Sequence, residues 1–257
     1  MTVVGLLHPG EMGSAVAAVL RERGETVLWA SAGRSTATAE RAAHAGLEDV
    51  GDVAELCRRS EILLSVCPPH AAVEVAREAA GFAGIYVDAN AVSPDTARAV
   101  AGLHARFVDG GIVGSPPERA GTTRLYLSGG EAEEIAALFA GTRLEARVIS
   151  AEPGAASALK AAYAGWTKGS AALLLTVLEL ARAEGVEDTL LEEWRLSLPQ
   201  LEERSASAAR SASRKGWRWI GEMEEIAHSM AAQDLPTGFH EAAADVFRRA
   251  AGESQRR

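Results

Sequence analysis

Two hydrophobic periodicities alternate along the first part of the chain. Apolar runs without a polar face, such as residues 2–8 and 61–66, are typical of strands buried on both sides of a parallel sheet. Between these runs, apolar residues recur at helical spacing, as Val16, Val19 and Leu20 do. The first thirty residues therefore predict a strand, a glycine turn, a helix and a second strand, which form one right-handed βαβ unit.

The same alternation continues to about residue 150 and predicts an α/β domain with a doubly wound sheet. Strands are predicted at 2–8, 25–30, 61–66, 84–88, 106–109, 124–128 and 146–149. Helices are predicted at 12–22, 35–45, 52–59, 70–80, 131–140 and from Pro94 onward. The segment 110–121 is predicted to be irregular.

After Ser150 the strand patterns end, and only helical patterns follow. Helices are predicted at 155–183, 186–198, 200–214, 217–232 and 240–251. The junction at 151–154 divides the chain into an α/β domain, residues 1–150, and a smaller all-α domain, residues 151–257. Because so small a helical domain buries little apolar surface by itself, we expect a homodimer that forms through the C-terminal helices.

Composition excludes several classes of partner. The net charge is −9, and an acidic chain lacks the basic face that a nucleic-acid binder needs. No apolar run approaches the roughly 18 residues needed to span a bilayer, so we expect no membrane partner. The two cysteines, Cys57 and Cys67, form neither a disulfide framework nor a metal-ligand pattern, and the N-terminus carries no basic leader. The sequence therefore predicts a cytoplasmic protein without a metal site.

The first candidate site is the turn between the first strand and the first helix. A G-x-G-x-x-G pattern at this place lets the backbone approach a pyrophosphate and directs a helix N-terminus at it. Here a histidine replaces the first glycine, whereas the other two glycines keep their spacing. This context favours a Rossmann-like dinucleotide-binding turn over an ordinary strand-to-helix turn. The candidate cofactor residues of the turn are His8, Pro9, Gly10, Glu11, Met12 and Gly13.

The end of the second strand predicts which dinucleotide binds. An acidic residue there would bind the ribose 2′-hydroxyl of NAD, but the segment 29–35 contains no acid. Ser31, Arg34 and Ser35 instead offer hydroxyl groups and a guanidinium, which suit a 2′-phosphate. The sequence therefore favours NADP (NADPH). The alternative is that Arg34 is a solvated surface residue.

The run VGLLHPGEMGSAVA resembles the opening of the β-hydroxyacid dehydrogenases, relatives of 6-phosphogluconate dehydrogenase, which begin I-G-F-I-G-L-G-x-M-G. The resemblance covers essentially the whole chain. SVCPPH at 65–70 is similar to the segment beside the nicotinamide, VDANAVSPDTA at 87–97 to the motif D-x-S-T-x-x-P, and FVDGGIVGS at 107–115 to the substrate segment F-x-D-A-P-V-S-G-G. The resemblance implies cofactor contacts from Cys67, Pro68 and Asn90, and substrate contacts from Ser93, Gly110 and Gly111.

The catalytic motif of that family is G-x-x-x-K-x-x-N-N, and here the predicted helix reads PGAASALKAAYAGWTKG. The resemblance places Lys160 at the lysine, as proton donor or acceptor, and puts Tyr163 and Ala164 at the two asparagine positions. A lysine among alanines is expected to have a lowered pKa, which suits acid–base catalysis. The alternative is that Lys160 extends its ammonium into solvent.

Two further residues are candidates for the substrate site because they follow on the helical part of the chain. Lys168 lies two turns after Lys160 and offers a second cation for a carboxylate or a phosphate. Trp217 is a candidate for lining the substrate cleft, and its alternative is a helical core residue.

The leading hypothesis is an NADP-dependent oxidoreductase that acts on a small polar or acidic alcohol or carbonyl compound. An imine reductase of the same fold is an alternative, because Tyr163 and Ala164 replace the two asparagines. A non-catalytic NADP-binding protein is a second alternative, since the missing asparagines would otherwise help to hold the substrate.

Overall fold

The computed structural model describes residues 1–254, with side chains described through Ala251. Its strands are β1 (Val3–Leu6), β2 (Thr26–Trp29), β3 (Glu48–Asp49), β4 (Ile62–Ser65), β5 (Ile85–Asp88), β6 (Phe107–Val113), β7 (Thr123–Ser128) and β8 (Leu144–Ser150). Its helices are α1 (Glu11–Glu22), α2 (Thr36–His44), α3 (Val53–Arg59), α4 (Ala72–Glu78), α5 (Pro94–Ala101), α6 (Ala132–Ala137), α7 (Ala155–Ala183), α8 (Glu187–Ser197), α9 (Leu201–Ala231) and α10 (Gly238–Ser254). A short 3-10 turn, Pro69–Ala71, precedes α4.

The strands form one sheet in the order β3-β2-β1-β4-β5-β6-β7-β8. All neighbouring strands run parallel except β6 and β7, which are antiparallel. The chain moves from β1 to β2 and β3 in one direction and then continues on the other side of β1 with β4. These findings confirm the predicted doubly wound α/β sheet, followed by helices.

The buried residues of the sheet belong to two apolar clusters. Ile62 and Leu64 of β4 belong to one cluster, whereas Leu63 between them belongs to the other. Because successive strand residues point to opposite faces, the sheet buries apolar side chains on both sides. This arrangement explains why the strand at 61–66 has no polar face in the sequence.

Two predicted boundaries are wrong. Residues 110–113 were expected to be irregular, but they continue strand β6 and pair with β7, from Gly110 opposite Leu127 to Val113 opposite Arg124. The two helices expected at 200–214 and 217–232 form one helix, α9. The helix continues through Gly216 because this glycine is buried against α10, where its packing offsets the poor helix propensity of glycine.

Contacts between residues divide the chain into two compact units, Met1–Lys160 and Ala161–Arg257, so the division falls within α7. The first unit contains the whole sheet. In the second unit, α9 and α10 pack together around Met223, Ile226 and Phe247. Among the helices within residues 1–254, none combines the length and the apolar character that crossing a membrane requires.

Candidate functional site

The candidate site lies at the carboxyl ends of β1 and β4, where the strand order changes direction. These two strands are parallel neighbours, with Leu6 opposite Leu64. The glycine turn at 8–13 follows β1, and Cys67 and Pro68 follow β4. Open α/β sheets bind their ligands at this kind of switch point, because the two flanking connections leave on opposite faces and open a crevice.

The glycine turn brings the start of α1 close to the end of β1. Gly10 is the N-cap of α1, and its N–H donates to the carbonyl oxygen of His8 at 2.8 Å. A Cβ atom on Gly13 would collide with that same carbonyl oxygen, so only glycine allows this close approach. A Cβ atom on Gly10 would meet open space. Of the remaining turn residues, Pro9 is buried, Met12 packs against the core, and Glu11 is exposed in the first turn of α1.

The side chain of His8 is paired with Arg34. Nη1 of Arg34 lies 2.6 Å from Nε2 of His8. Burial, followed by the charge of Arg34, lowers the pKa of His8 from its usual 6.5 to about 4, so the ring is neutral at pH 7. Two nitrogen atoms of this pair, Nδ1 of His8 and Nε of Arg34, are buried and have no hydrogen-bond partner within residues 1–254.

A second arginine, which sequence reasoning missed, lies beside the same turn. Nε of Arg41, on α2, donates to the carbonyl oxygen of Pro9 at 3.2 Å, and Nη2 donates to Thr38 at 3.1 Å. Ser35 is the N-cap of α2, where its hydroxyl oxygen accepts from the backbone N–H of Thr38 at 3.3 Å. The amphipathic spacing of α2 gave no sign that Arg41 faces the turn.

The structure also brings an acid to the end of β2. Asp49, the last residue of β3, lies opposite Trp29, and its carboxylate accepts from the backbone N–H of Gly51 at 2.9 Å. The slight desolvation of the exposed Asp49 carboxylate raises its pKa, but hydrogen bonds from Gly51 and Ser31 outweigh this and lower the pKa below its usual range. Sequence reasoning looked for an acid only on the second strand and missed this neighbour. Ser31 is therefore engaged with Asp49.

Asn90 connects the loops that follow β4 and β5. Its Oδ1 accepts from the backbone N–H of Cys67 at 2.5 Å, and its Nδ2 donates to the hydroxyl of Ser65 at 3.0 Å. Its own N–H donates to Asp88 at 2.9 Å. Burial, followed by the negative charge of Asp88, raises the pKa of the Cys67 thiol to about 12, so this cysteine is a neutral thiol. The half-buried Pro68 follows as the N-cap of the 3-10 turn.

Ser93, a predicted substrate residue, is fully buried at the start of α5. Its hydroxyl accepts from the backbone N–H of Thr96 at 3.1 Å and lies 2.8 Å from the Thr96 hydroxyl. Ser93 therefore caps the helix. Its contact with substrate stays a prediction.

The start of α7 is attached to β6 by a buried carboxylate. Oδ2 of Asp109 accepts from the hydroxyl of Ser128 and from the backbone N–H groups of Gly154 and Ser157, at 2.9–3.0 Å. Its Oδ1 accepts from the hydroxyl of Ser157 at 2.6 Å. The sequence identified Asp109 only as a match to the family segment. Its role depends on residues that lie about 45 positions later in the chain.

Gly110 and Gly111 lie within β6 and let other backbone segments approach it. A Cβ atom on Gly110 would lie 3.1 Å from the carbonyl oxygen of Asp88. On Gly111 it would lie 2.7 Å from the carbonyl oxygen of Ala156 and 3.1 Å from Cβ of Lys160. The missing side chain at Gly111 therefore allows α7 to pack directly on the strand. Both glycines remain predicted substrate residues.

Lys160 lies beyond the carboxyl ends of the central strands. Its Nζ donates to the carbonyl oxygen of Ile112 at 2.5 Å. Asp88, the last residue of β5, is opposite Asp109, so Ile112 extends past the edge at which β5 ends. That edge is the one that carries the glycine turn, because β1, β4, β5 and β6 are parallel.

Three predicted substrate residues belong to the second unit. Lys168 forms an ion pair with the buried carboxylate of Glu222, and its Nζ lies 5.6 Å from the centre of the Trp219 ring. The partner carboxylate neutralises the charge that was expected to bind a substrate anion. Tyr163 and Trp217 are about half exposed. The roles of all three stay predictions.

The first unit fits a dinucleotide cofactor. The backbone at Gly13 leaves no room for a Cβ atom, whereas the start of α1 is open at Gly10. His8 and Arg34 each have a buried nitrogen atom without a partner in the described part of the chain. A helix N-terminus with nearby cationic donors is the environment that phosphate groups require. The arrangement can hold a pyrophosphate at the turn, while Lys160 supplies a proton-carrying group at the same edge of the sheet.

Comparisons with known proteins agree with this geometry. Residues 1–140 match the NAD-binding domain of 6-phosphogluconate dehydrogenase, and residues 181–250 match a domain of unknown function, DUF1932. The chain is 32% identical over 193 residues to an uncharacterized 28.5 kDa protein in the 7S RNA 5′ region of Methanothermus fervidus, covering 74% of each chain.

Two solved structures extend the comparison. One is MTH1747, a conserved protein of unknown function whose structure was described as similar to 3-hydroxyacid dehydrogenases. It is 30% identical to this chain, the alignment covers 98% of both chains, and the TM-score is 0.72. An imine reductase from Streptomyces aurantiacus is 19% identical, with 98% of this chain and 95% of that chain covered and a TM-score of 0.56, and it shares the fold. The chain belongs to the 6-phosphogluconate dehydrogenase-like NAD-binding family and has the fold of the hydroxyacid dehydrogenases.

Proposed function

We propose that the protein is an NADP-dependent oxidoreductase that transfers hydride between the nicotinamide and a small polar or acidic alcohol or carbonyl compound. The observation that carries this proposal is the position of Lys160. Its ammonium is held by the carbonyl oxygen of Ile112, beyond the strand ends at which the glycine turn also lies. A proton donor and a dinucleotide turn at one edge of the sheet are the two components that carbonyl reduction requires.

The preference for NADP rests on the cations beside the turn. Arg34 contacts His8, and Arg41 contacts the carbonyl oxygen of Pro9, so two guanidinium groups flank the start of α1. A 2′-phosphate carries the charge that guanidinium groups bind best. An acid at the end of β2 favours NAD, so Asp49 argues against this preference. Its carboxylate, however, already accepts hydrogen bonds from Gly51 and Ser31.

Lys160 has a defined role in this reaction. When bound, the nicotinamide supplies or accepts the hydride. Reduction of a carbonyl group leaves an alkoxide oxygen, which takes a proton from Nζ of Lys160, and oxidation of the alcohol returns that proton. The carbonyl oxygen of Ile112 holds Nζ of Lys160 in position for both directions of the reaction. Asp109 and Gly111 position the helix that carries the lysine.

Calorimetric titration with NADPH and with NADH tests the cofactor assignment. One good charged contact to the 2′-phosphate should make NADPH bind at least roughly tenfold more tightly. Tighter binding of NADH would assign the ribose contact to Asp49 instead of Arg34. If neither nucleotide binds, the oxidoreductase proposal is wrong.

Turnover of Lys160 variants tests the proton transfer. With a panel of small hydroxy acids and keto acids, Lys160→Ala should lower kcat by about 10²- to 10⁴-fold. Lys160→Arg is the matched control, because it keeps a cationic donor for Ile112 but does not release its proton. It should therefore lower kcat by a similar factor. Wild-type turnover by Lys160→Ala would contradict the acid–base role.

Imine reduction is the second candidate function. It is favoured by Tyr163 and Ala164, which stand where the hydroxyacid dehydrogenase motif has two asparagines. The imine reductase from Streptomyces aurantiacus supports it only through the shared fold. Reduction of cyclic imines, without reduction of keto acids, by the purified protein would favour this function. Cofactor binding with no transfer to either class would favour a non-catalytic protein.

The helical unit carries a surface that suits a second copy of the chain. Trp166, Leu173 and Leu180 follow one another at seven-residue spacing on α7, and they are 71%, 51% and 61% exposed. Apolar residues at this spacing form the seam of paired helices. We therefore infer a homodimer that buries this seam. Sedimentation of wild type and of Leu173→Glu tests it, since the charge should yield a monomer.

A further inference from the structure

The bond to Arg34 fixes where the neutral ring of His8 carries its proton. A guanidinium can donate hydrogen bonds but cannot accept them. Because Nη1 of Arg34 lies 2.6 Å from Nε2 of His8, Nε2 must be the acceptor and carries no hydrogen. A neutral imidazole has one proton, so that proton lies on Nδ1. Nδ1 of His8 is therefore a hydrogen-bond donor.

This donor and one on its partner are left without acceptors. Nδ1–H of His8 and Nε–H of Arg34 are both buried, and neither has a partner within residues 1–254. Buried N–H groups are nearly always hydrogen-bonded in folded proteins. Each of these two donors beside the N-terminus of α1 lacks an acceptor, and the negatively charged oxygen atoms of phosphate groups are well suited to supply one.

We propose that His8 is a two-sided binding residue of the cofactor site. Its Nε2 holds the guanidinium of Arg34 in position for the 2′-phosphate, and its Nδ1–H donates to an oxygen of the pyrophosphate. The histidine thus replaces, by a side-chain donor, the close backbone approach that the first glycine of the fingerprint allows. This inference rests on the proposed NADP dependence.

Two substitutions separate the two sides of the ring. The side-chain amide of glutamine reaches the position of Nε2, so His8→Gln keeps an acceptor for Arg34 and loses the Nδ1 donor. The shorter amide of asparagine reaches the position of Nδ1, so His8→Asn keeps that donor and releases Arg34. The matched control is His44→Asn, which changes an exposed histidine of α2.

Calorimetric titration of each variant with NADPH and with NADH tests the proposal. His8→Gln should bind both nucleotides about tenfold more weakly while its preference for NADPH is retained, because only the pyrophosphate contact is lost. His8→Asn should bind NADH within about threefold of wild type and lose about tenfold of its preference for NADPH. His44→Asn should bind both nucleotides as wild type does, and thermal midpoints confirm that every variant is folded.

Three outcomes overturn the inference. If wild type prefers NADPH and both His8 variants bind like wild type, His8 has no part in recognition, although the proposed function stands. If both variants lose affinity for both nucleotides equally, His8 acts only through the shape of the turn. Failure of wild type to bind either nucleotide would overturn the proposed function together with this inference.

Discussion

Two buried polar clusters of the first unit differ in whether their hydrogen-bonding groups have partners. The carboxylate of Asp109 accepts four hydrogen bonds, from Ser128, Gly154 and Ser157, and both of its oxygen atoms are used. The His8–Arg34 pair shares one contact and leaves two buried nitrogen atoms without partners in the described part of the chain.

The difference separates a structural anchor from the proposed binding site. A buried polar group is costly unless its hydrogen bonds are completed. Asp109 completes them within the chain, so its bonds connect β6 to the start of α7 and need no ligand. His8 and Arg34 leave theirs open at the carboxyl ends of the strands, where a ligand can complete them. Removing the anchor should therefore lower stability, whereas removing the open pair should chiefly lower cofactor affinity.

The largest effect is expected for Asp109→Ala. This change leaves the N–H groups of Gly154 and Ser157 without an acceptor and should lower the free energy of unfolding by about 3–5 kcal/mol. Urea unfolding measures the loss. Asp95→Ala is the control, because Asp95 forms an exposed pair with Arg98 and should cost at most about 1 kcal/mol. If the two variants lose equal stability, Asp109 is not an anchor.

A smaller effect is expected for Gly111→Ala, which disturbs the same contact between β6 and α7 without removing a polar group. The new Cβ atom would lie 2.7 Å from the carbonyl oxygen of Ala156, so α7 must shift. This shift should lower the free energy of unfolding by about 1–3 kcal/mol. Turnover should also fall, because Cβ of Lys160 is the next atom in contact. Gly130→Ala, where the added Cβ meets open space, should leave the urea midpoint and turnover unchanged.

Local patterns predicted most of the fold, and the failures have physical reasons. Strands and helices with a clear period, such as β4 and α7, were predicted to within a few residues. The strand at 110–113 was not predicted, because its conformation depends on pairing with β7 rather than on its own composition. The predicted break within α9 is wrong because packing against α10 offsets the weak helix propensity of Gly216.

The candidate site was predictable only where a motif is continuous in sequence. The glycine turn at 8–13 is such a motif, and so is the segment that contains Lys160. Asp49 reaches the end of β2 through a two-residue strand whose pattern is too short to detect. Arg41 faces the turn only because α2 packs beside α1. Non-local pairing therefore brings Asp49 and Arg41 to the candidate cofactor site.

The smallest effect is a dependence on pH that distinguishes the open pair from the anchor. Burial and the charge of Arg34 lower the pKa of His8 from 6.5 to about 4. Between these values the unfolded chain binds a proton that the folded chain does not, so His8 lowers the free energy of unfolding as the pH falls from 6.5 to 4. Above pH 6.5 the ring is neutral in both states and contributes no dependence. Solvent partly screens the half-buried ring, which keeps the effect small.

Urea unfolding of wild type and His8→Asn at pH 7.5 and at pH 4.5 measures this contribution, because asparagine does not titrate and every other group is shared. The stability of wild type relative to the variant should decrease toward pH 4.5. A relative stability that stays constant would mean that the folded protein tolerates the imidazolium beside Arg34. Protonated Nε2 could then not accept from the guanidinium, so His8 and Arg34 would not form the pair that leaves two donors open for phosphate groups.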